Sequence, residues 1–66
     1  MVAVLPMDKN IGDSIKNARK SAGLTQAALA KELGINRATI SKYEKGMIEP
    51  SISQLNKIAK ILNMSF

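Results

Sequence analysis

The chain has 66 residues, no Cys, no His, 45% apolar residues and 3% aromatic ones. That length holds one small domain with an aliphatic core, and the missing residue types exclude disulfide staples, Cys/His zinc sites and His-dependent triads. Ten Lys and Arg against five Asp and Glu leave a net charge of +5, a balance that favours an anionic partner such as nucleic acid or an acidic membrane surface.

Residues 1–9 differ in composition from the rest. The apolar run Val2-Ala3-Val4-Leu5 ends at Pro6. It is too short for a bilayer span or for a secretory core of roughly 7–15 apolar residues, so the cytoplasm is the expected location. Two readings of this stretch stand. It is a frayed, flexible arm, or an extended arm that pairs with a second protomer; Met7 is also an alternative start. The domain proper is expected over residues 10–66.

From Asn10 the apolar spacing follows the helical period. Ile11, Ile15, Ala18 and Ala22 make one stripe, Asn10 is placed to cap it, and Gly23 stands where a helix end wants a left-handed residue. A second helix begins at Thr25, whose hydroxyl can accept from a first-turn amide. Position 28 is Ala rather than Glu or Gln, so the capping box is incomplete. Leu29, Ala30 and Leu33 are its apolar positions and Gly34 ends it. A third helix is predicted from the cap Asn36 to Glu44, with Ile40 and Tyr43 inward and Gly46 as its stop. The fourth follows Pro50 and opens on the box Ser51-x-x-Gln54, with Ile52, Leu55, Ile58, Ala59 and Leu62 as its buried stripe and Asn63 as its end. No strand pattern appears over residues 10–66. The expected class is all-α, four short helices with short links.

The segment from Gln26 to Lys45 has a mechanical reading. Two helices that cross steeply through a short turn need a small residue where they touch, and Ala30 supplies it. The turn needs one residue at positive φ, and Gly34 reaches that without a Cβ penalty. Leu29, Leu33, Ile35 and Ile40 close a small core beneath. This pattern is that of a helix-turn-helix.

With its flanks, the chain resembles the Cro/CI-type, lambda-repressor-like helix-turn-helix domains of phage and bacterial regulators (the XRE family). The resemblance spans about residues 11–66. It rests on Ile11-Gly12 with Ile15 and Arg19, Gly23-Leu24-Thr25-Gln26, Leu29-Ala30, Leu33-Gly34-Ile35, Ile40-Ser41, Glu44-x-Gly46, Pro50-Ser51 and Ile58-Ala59-Lys60. It implies a small lambda-repressor-like bundle of four helices. Family members usually add a fifth, and it would start where this chain reads Met64-Ser65-Phe66. Either the chain is a fragment of a longer regulator, or Phe66 covers the open end of the core. The fifth helix often serves dimerisation, so the departure bears on self-association.

In such a domain the second helix of the motif enters the major groove N-terminus first. Arg37, Ala38, Ser41 and Lys42 are then the candidates for base edges, Arg37 foremost because its planar fork matches guanine O6 and N7. Thr25, Gln26, Asn36, Thr39 and Lys45 are the candidates for the DNA backbone, although Thr25 and Asn36 cap first. The resemblance implies that Gln26 touches a phosphate and braces the first reading residue, and that Arg19 pairs with Glu44. Arg19, Ala30, Gly34, Ile40 and Glu44 thus form the expected scaffold. No catalytic residue, metal ligand or cofactor is expected.

Three function classes compete. The first is a sequence-specific double-stranded DNA binder, a homodimeric repressor on an inverted-repeat operator. The second is an antitoxin or partner-controlled regulator, whose contact with a toxin or antagonist protein is primary and whose arm is the feature to test. The third, an enzyme, is not expected: Asp8, Asp13, Glu32, Glu44 and Glu49 show no helical pairing, and there is no phosphate loop. A membrane surface is disfavoured by having only Tyr43 and Phe66 as aromatics. Met47, Ile48 and Ile61 are read either as scattered surface apolars or as an interface.

Overall fold

The computed structural model describes residues 7–64, with side chains from Ile11 onward. Four helices follow in order: α1 Met7–Ser21, α2 Gln26–Leu33, α3 Arg37–Lys45 and α4 Ile52–Leu62. No strand occurs among the described residues. The all-α expectation holds, and all four expected helices are present. Residues 1–6 of the expected arm and Phe66 lie outside the described residues, while residues 7–9 are already helical. Asn10 therefore sits inside α1 rather than capping it.

All four helices end on one device. A left-handed residue follows the helix, and the next amide reaches back five residues to a carbonyl. Leu24 N donates to Arg19 O at 3.1 Å, Ile35 N to Ala30 O at 2.9 Å, Met47 N to Lys42 O at 2.9 Å and Met64 N to Ala59 O at 3.0 Å. Three of these turns use glycine. The fourth uses Asn63 at φ 55°, a residue type that tolerates this region because its short polar side chain can hydrogen-bond locally to the backbone. At the helix starts, Thr25 Oγ1 accepts from Ala28 N at 3.0 Å and Ser51 Oγ accepts from Gln54 N at 3.1 Å. Asn36 has the extended backbone of a cap, yet its side chain makes no capping hydrogen bond.

The core is Ile15, Leu29, Ala30, Ile40, Tyr43, Ile58 and Leu62, ringed by half-buried Ile11, Ala18, Leu24, Leu33, Ile35, Leu55, Ile61 and Met64. Two stripe positions depart from expectation. Ala22 is exposed, because α1 ends at Ser21 and the chain has already turned away. Ile52 is 79% exposed. It stands about 100° round α4 from the Ile58–Leu62 direction, so the face it shares with Ala59 grazes the core rather than entering it.

Gly12 has a steric role. A Cβ there would lie 2.6 Å from the carbonyl oxygen of Tyr43 and 2.8 Å from that of Glu44. α1 thus lies directly on the backbone of the last turn of α3. This contact fixes how far α3 projects from the body.

Candidate nucleic-acid interface

α2 and α3 form the motif, joined by Gly34, Ile35 and Asn36. Ala30, 2% exposed, is buried in the core between the two helices. A side chain longer than a methyl group there would push them apart. Gly34 takes φ 72° and ψ 30°, and its amide closes α2. Ile40, fully buried, anchors α3 from below.

α3 has two opposite faces. Ile40, Tyr43 and Glu44 are buried. Arg37, Ala38, Lys42 and Lys45 are exposed, and Ser41 is half-buried beside them. The spacing i, i+1, i+4, i+5, i+8 gathers these five on one side of the helix. Thr39 is half-buried at its flank, and Asn36 is exposed at the head of the helix. The nine sequence-predicted contact residues thus line α3 and the start of α2, with Thr25 exposed and Gln26 half-buried.

At the helix starts the charge placement runs against helix electrostatics. Neither α2 nor α3 has an acidic residue in its first turn, and α3 opens on Arg37. A cation at a helix N-terminus opposes the macrodipole by about 0.3–1 kcal/mol at a surface. Meanwhile Thr25 captures only the third amide of α2, leaving those of Gln26 and Ala27 without an intrahelical partner. Donors and cations with no local carboxylate to satisfy them make an anion-receptive edge.

Beneath that edge lies a polar chain. Arg19 Nε donates to Glu44 Oε2 at 2.6 Å and Arg19 Nη2 to Glu44 Oε1 at 3.2 Å. Arg19 Nη1 donates to the carbonyl of Leu24 at 2.8 Å, tying the α1–α2 turn to the pair. Gln26 Nε2 donates to Glu44 Oε1 at 3.0 Å, and Arg37 Nη1 donates to Gln26 Oε1 at 3.4 Å. Arg19 and Glu44 are each 8% exposed, and no buried side-chain nitrogen or oxygen among the described residues lacks a partner. The link from Gln26 back to Glu44 and the Arg19 bond to Leu24 O were not foreseen, nor was the seat of Gly12. The Gly12 signal was in the sequence, as a glycine inside a helical stretch, but its partner is backbone and leaves no residue signature.

A buried-core pair of helices around a small-residue contact, with a cationic outer face on the second, defines a helix-turn-helix domain. Residues 15–66 match the family Helix-turn-helix (HTH_3), and the chain belongs to that family, the Cro/CI-type group of DNA-binding transcriptional regulators. The chain is 41% identical over 54 residues to the SPbeta prophage-derived uncharacterized HTH-type transcriptional regulator YonR of Bacillus subtilis, covering 82% of this chain and 50% of that protein. It is 38% identical over 56 residues to the antitoxin PezA of Streptococcus pneumoniae, covering 85% and 35%. Four of the regulators it matches are spanned over only 17% to 50% of their length.

Among solved structures, SinR, a master regulator for biofilm formation crystallised with DNA, superposes with a TM-score of 0.76 at 34% identity, over 83% of this chain and 89% of that one. HppE with cobalt(II) and substrate gives 0.84 at 30% identity, over 91% of this chain and 34% of that one. About two-thirds of HppE therefore lies outside the shared unit. No helix among the described residues is long and apolar enough to cross a membrane.

Proposed function

We propose that this chain binds double-stranded DNA sequence-specifically, as a homodimeric transcriptional repressor, with α3 in the major groove. The observation that carries this reading is the two-faced α3, which buries Ile40, Tyr43 and Glu44 and turns Arg37, Ala38, Lys42 and Lys45 outward. Arg37, Ala38, Ser41 and Lys42 face base edges in this reading. Thr25, Gln26, Asn36, Thr39 and Lys45 hold the sugar–phosphate backbone and set the register without selecting sequence. The fold of SinR, solved with DNA, supports the same docking. One such helix reads about a half-site, so two protomers on an inverted repeat with centres about 34 Å apart complete the operator.

The test is selection from a random double-stranded DNA library at about physiological salt. Enrichment of an inverted repeat of that spacing is the expected result. Enrichment of no sequence, with only salt-sensitive bulk binding, overturns the reading.

A second reading, an antitoxin whose protein contact is primary, draws on the likeness to PezA and on exposed Met47, Ile48 and Ile52. Co-expression with a candidate toxin or antagonist protein, with and without residues 1–9, tests that reading. A complex that forms only with the arm present favours it.

A further inference from the structure

Among the described residues three large apolar side chains are exposed, Met47 by 65%, Ile48 by 42% and Ile52 by 79%. All three stand within one six-residue stretch that carries the chain from α3 into α4. The backbone of this stretch is held. Met47 N donates to Lys42 O at 2.9 Å, Pro50 is buried, and Ser51 Oγ caps α4. A fixed turn therefore presents the three side chains to water, and apolar surface fixed in water favours a cover.

α1 passes close to the start of this turn. Gly12 packs against the carbonyl oxygens of Tyr43 and Glu44, and Met47 follows Glu44 by three residues. From Gly12 back to Met7 is about 7.5 Å along the helix axis. Before Met7 the sequence reads Val2-Ala3-Val4-Leu5-Pro6, outside the described residues. Val2 to Leu5 carry no charged or polar side chain. Extended, five residues reach a further ~17 Å from Met7, and the three steps from Glu44 to Met47 span at most about 11 Å. The apolar segment and the apolar turn are thus within reach of each other.

We propose that Val2–Leu5 of the same chain pack on Met47, Ile48 and Ile52, so that the arm is a built-in cover for an apolar docking surface at the end of α3. Pro6 disfavours a helical backbone at the residue before it, which lets the arm leave the axis of α1. Three side chains are too few for a stable interface between two copies, which takes about 20–30 residues a side. A segment tethered a few residues away meets the same patch at an effective concentration in roughly the millimolar range. The pairing needs neither DNA nor a partner protein, so it stands apart from the DNA-binding reading. Its consequence is a two-state surface, open to another apolar partner only when the arm lifts.

The test uses the full chain, methyl-labelled and free in solution. NMR cross-peaks from the methyl groups of Val4 and Leu5 to those of Met47, Ile48 or Ile52 are expected. In a mixture of labelled and unlabelled chains, the spectrum filtered for contacts between molecules is expected to show none of them. Thermal melts of Leu5→Ser, Ile52→Ser and the double variant make the second measurement. A substitution at a site as exposed as Ile52 ordinarily leaves the melting temperature unchanged. Here each single variant is expected to fall by about 4–8 °C, and the double variant by no more than the larger single loss, because both remove one shared contact. Absence of cross-peaks between arm and patch overturns the proposal. So does an unchanged melting temperature in Ile52→Ser, or losses that add in the double variant. Cross-peaks found only between molecules overturn it as well, and assign the patch to a second copy of the chain.

Discussion

Removing the carboxylate of Glu44 tests the centre of this molecule. Glu44→Ala deletes the acceptors of three hydrogen bonds, two from Arg19 and one from Gln26, and leaves a guanidinium that is 8% exposed with only the Leu24 carbonyl. Stranding a buried charge in this way costs about 3–5 kcal/mol. A domain of this size has a total stability of about 3–10 kcal/mol, so the variant loses a large share of it. For a chain this short each kcal/mol moves the melting temperature by about 4–8 °C, which predicts a fall of at least about 12 °C. Circular dichroism melts of the two proteins, with urea titration as a check on two-state behaviour, measure it. The double variant Arg19→Met/Glu44→Met removes both charges and fills the space with apolar side chains, so it is expected to recover most of the loss. A melting temperature for Glu44→Ala within about 4 °C of wild type, equivalent to about 1 kcal/mol, would refute the reasoning. So would a double variant no more stable than the single one.

Gly12→Ala puts a methyl group within 3 Å of two carbonyl oxygens of α3, where the obstacle is backbone and cannot rotate away. It is expected to cost about 1–3 kcal/mol by denaturant titration, against the usual gain from Gly to Ala inside a helix. Ser51→Ala removes a cap that is formed and should lose about 1 kcal/mol, whereas Asn36→Ala removes a side chain that makes no capping bond and should stay within about 0.5 kcal/mol. Paired thermal melts separate the two; equal losses would show that Asn36 caps in solution. On DNA, Arg37→Ala should relax preference at one base pair by about 1–3 kcal/mol, while Lys45→Ala should weaken all sequences alike and reduce the slope of log affinity against log salt by about 0.9. Filter binding over a salt series distinguishes these two behaviours, and the opposite assignment would exchange base and backbone roles.

Apart from the start of α1, which lies at Met7 rather than after Asn10, the sequence by itself determined the four helices and their ends, because those are local events. Gly23, Gly34 and Gly46 stand at left-handed closures that few other residues reach cheaply, and Thr25 and Ser51 accept from amides three residues on. The buried positions Ile15, Ala30, Ile40, Ile58 and Leu62 were legible in periodicity, and with them the fold class. Arg19 and Glu44, 25 residues apart, were brought together by resemblance and not by any rule of spacing.

What only the tertiary structure decided concerns direction. Ile52 obeys the helical period of α4 and is still exposed, since a stripe defines a face but not which part of it the neighbouring helices cover. Gly12 meets backbone, which every residue carries and no pattern marks. Asn36 occupies a cap without capping, because a backbone conformation does not oblige a side chain to bond. The Gln26 amide takes its orientation from a carboxylate 18 residues away and offers its outer end to Arg37, 11 residues away. Local chemistry is written in neighbouring residues, whereas the hydrogen bonds that hold the Gln26 amide exist only once three helices have closed around one ion pair.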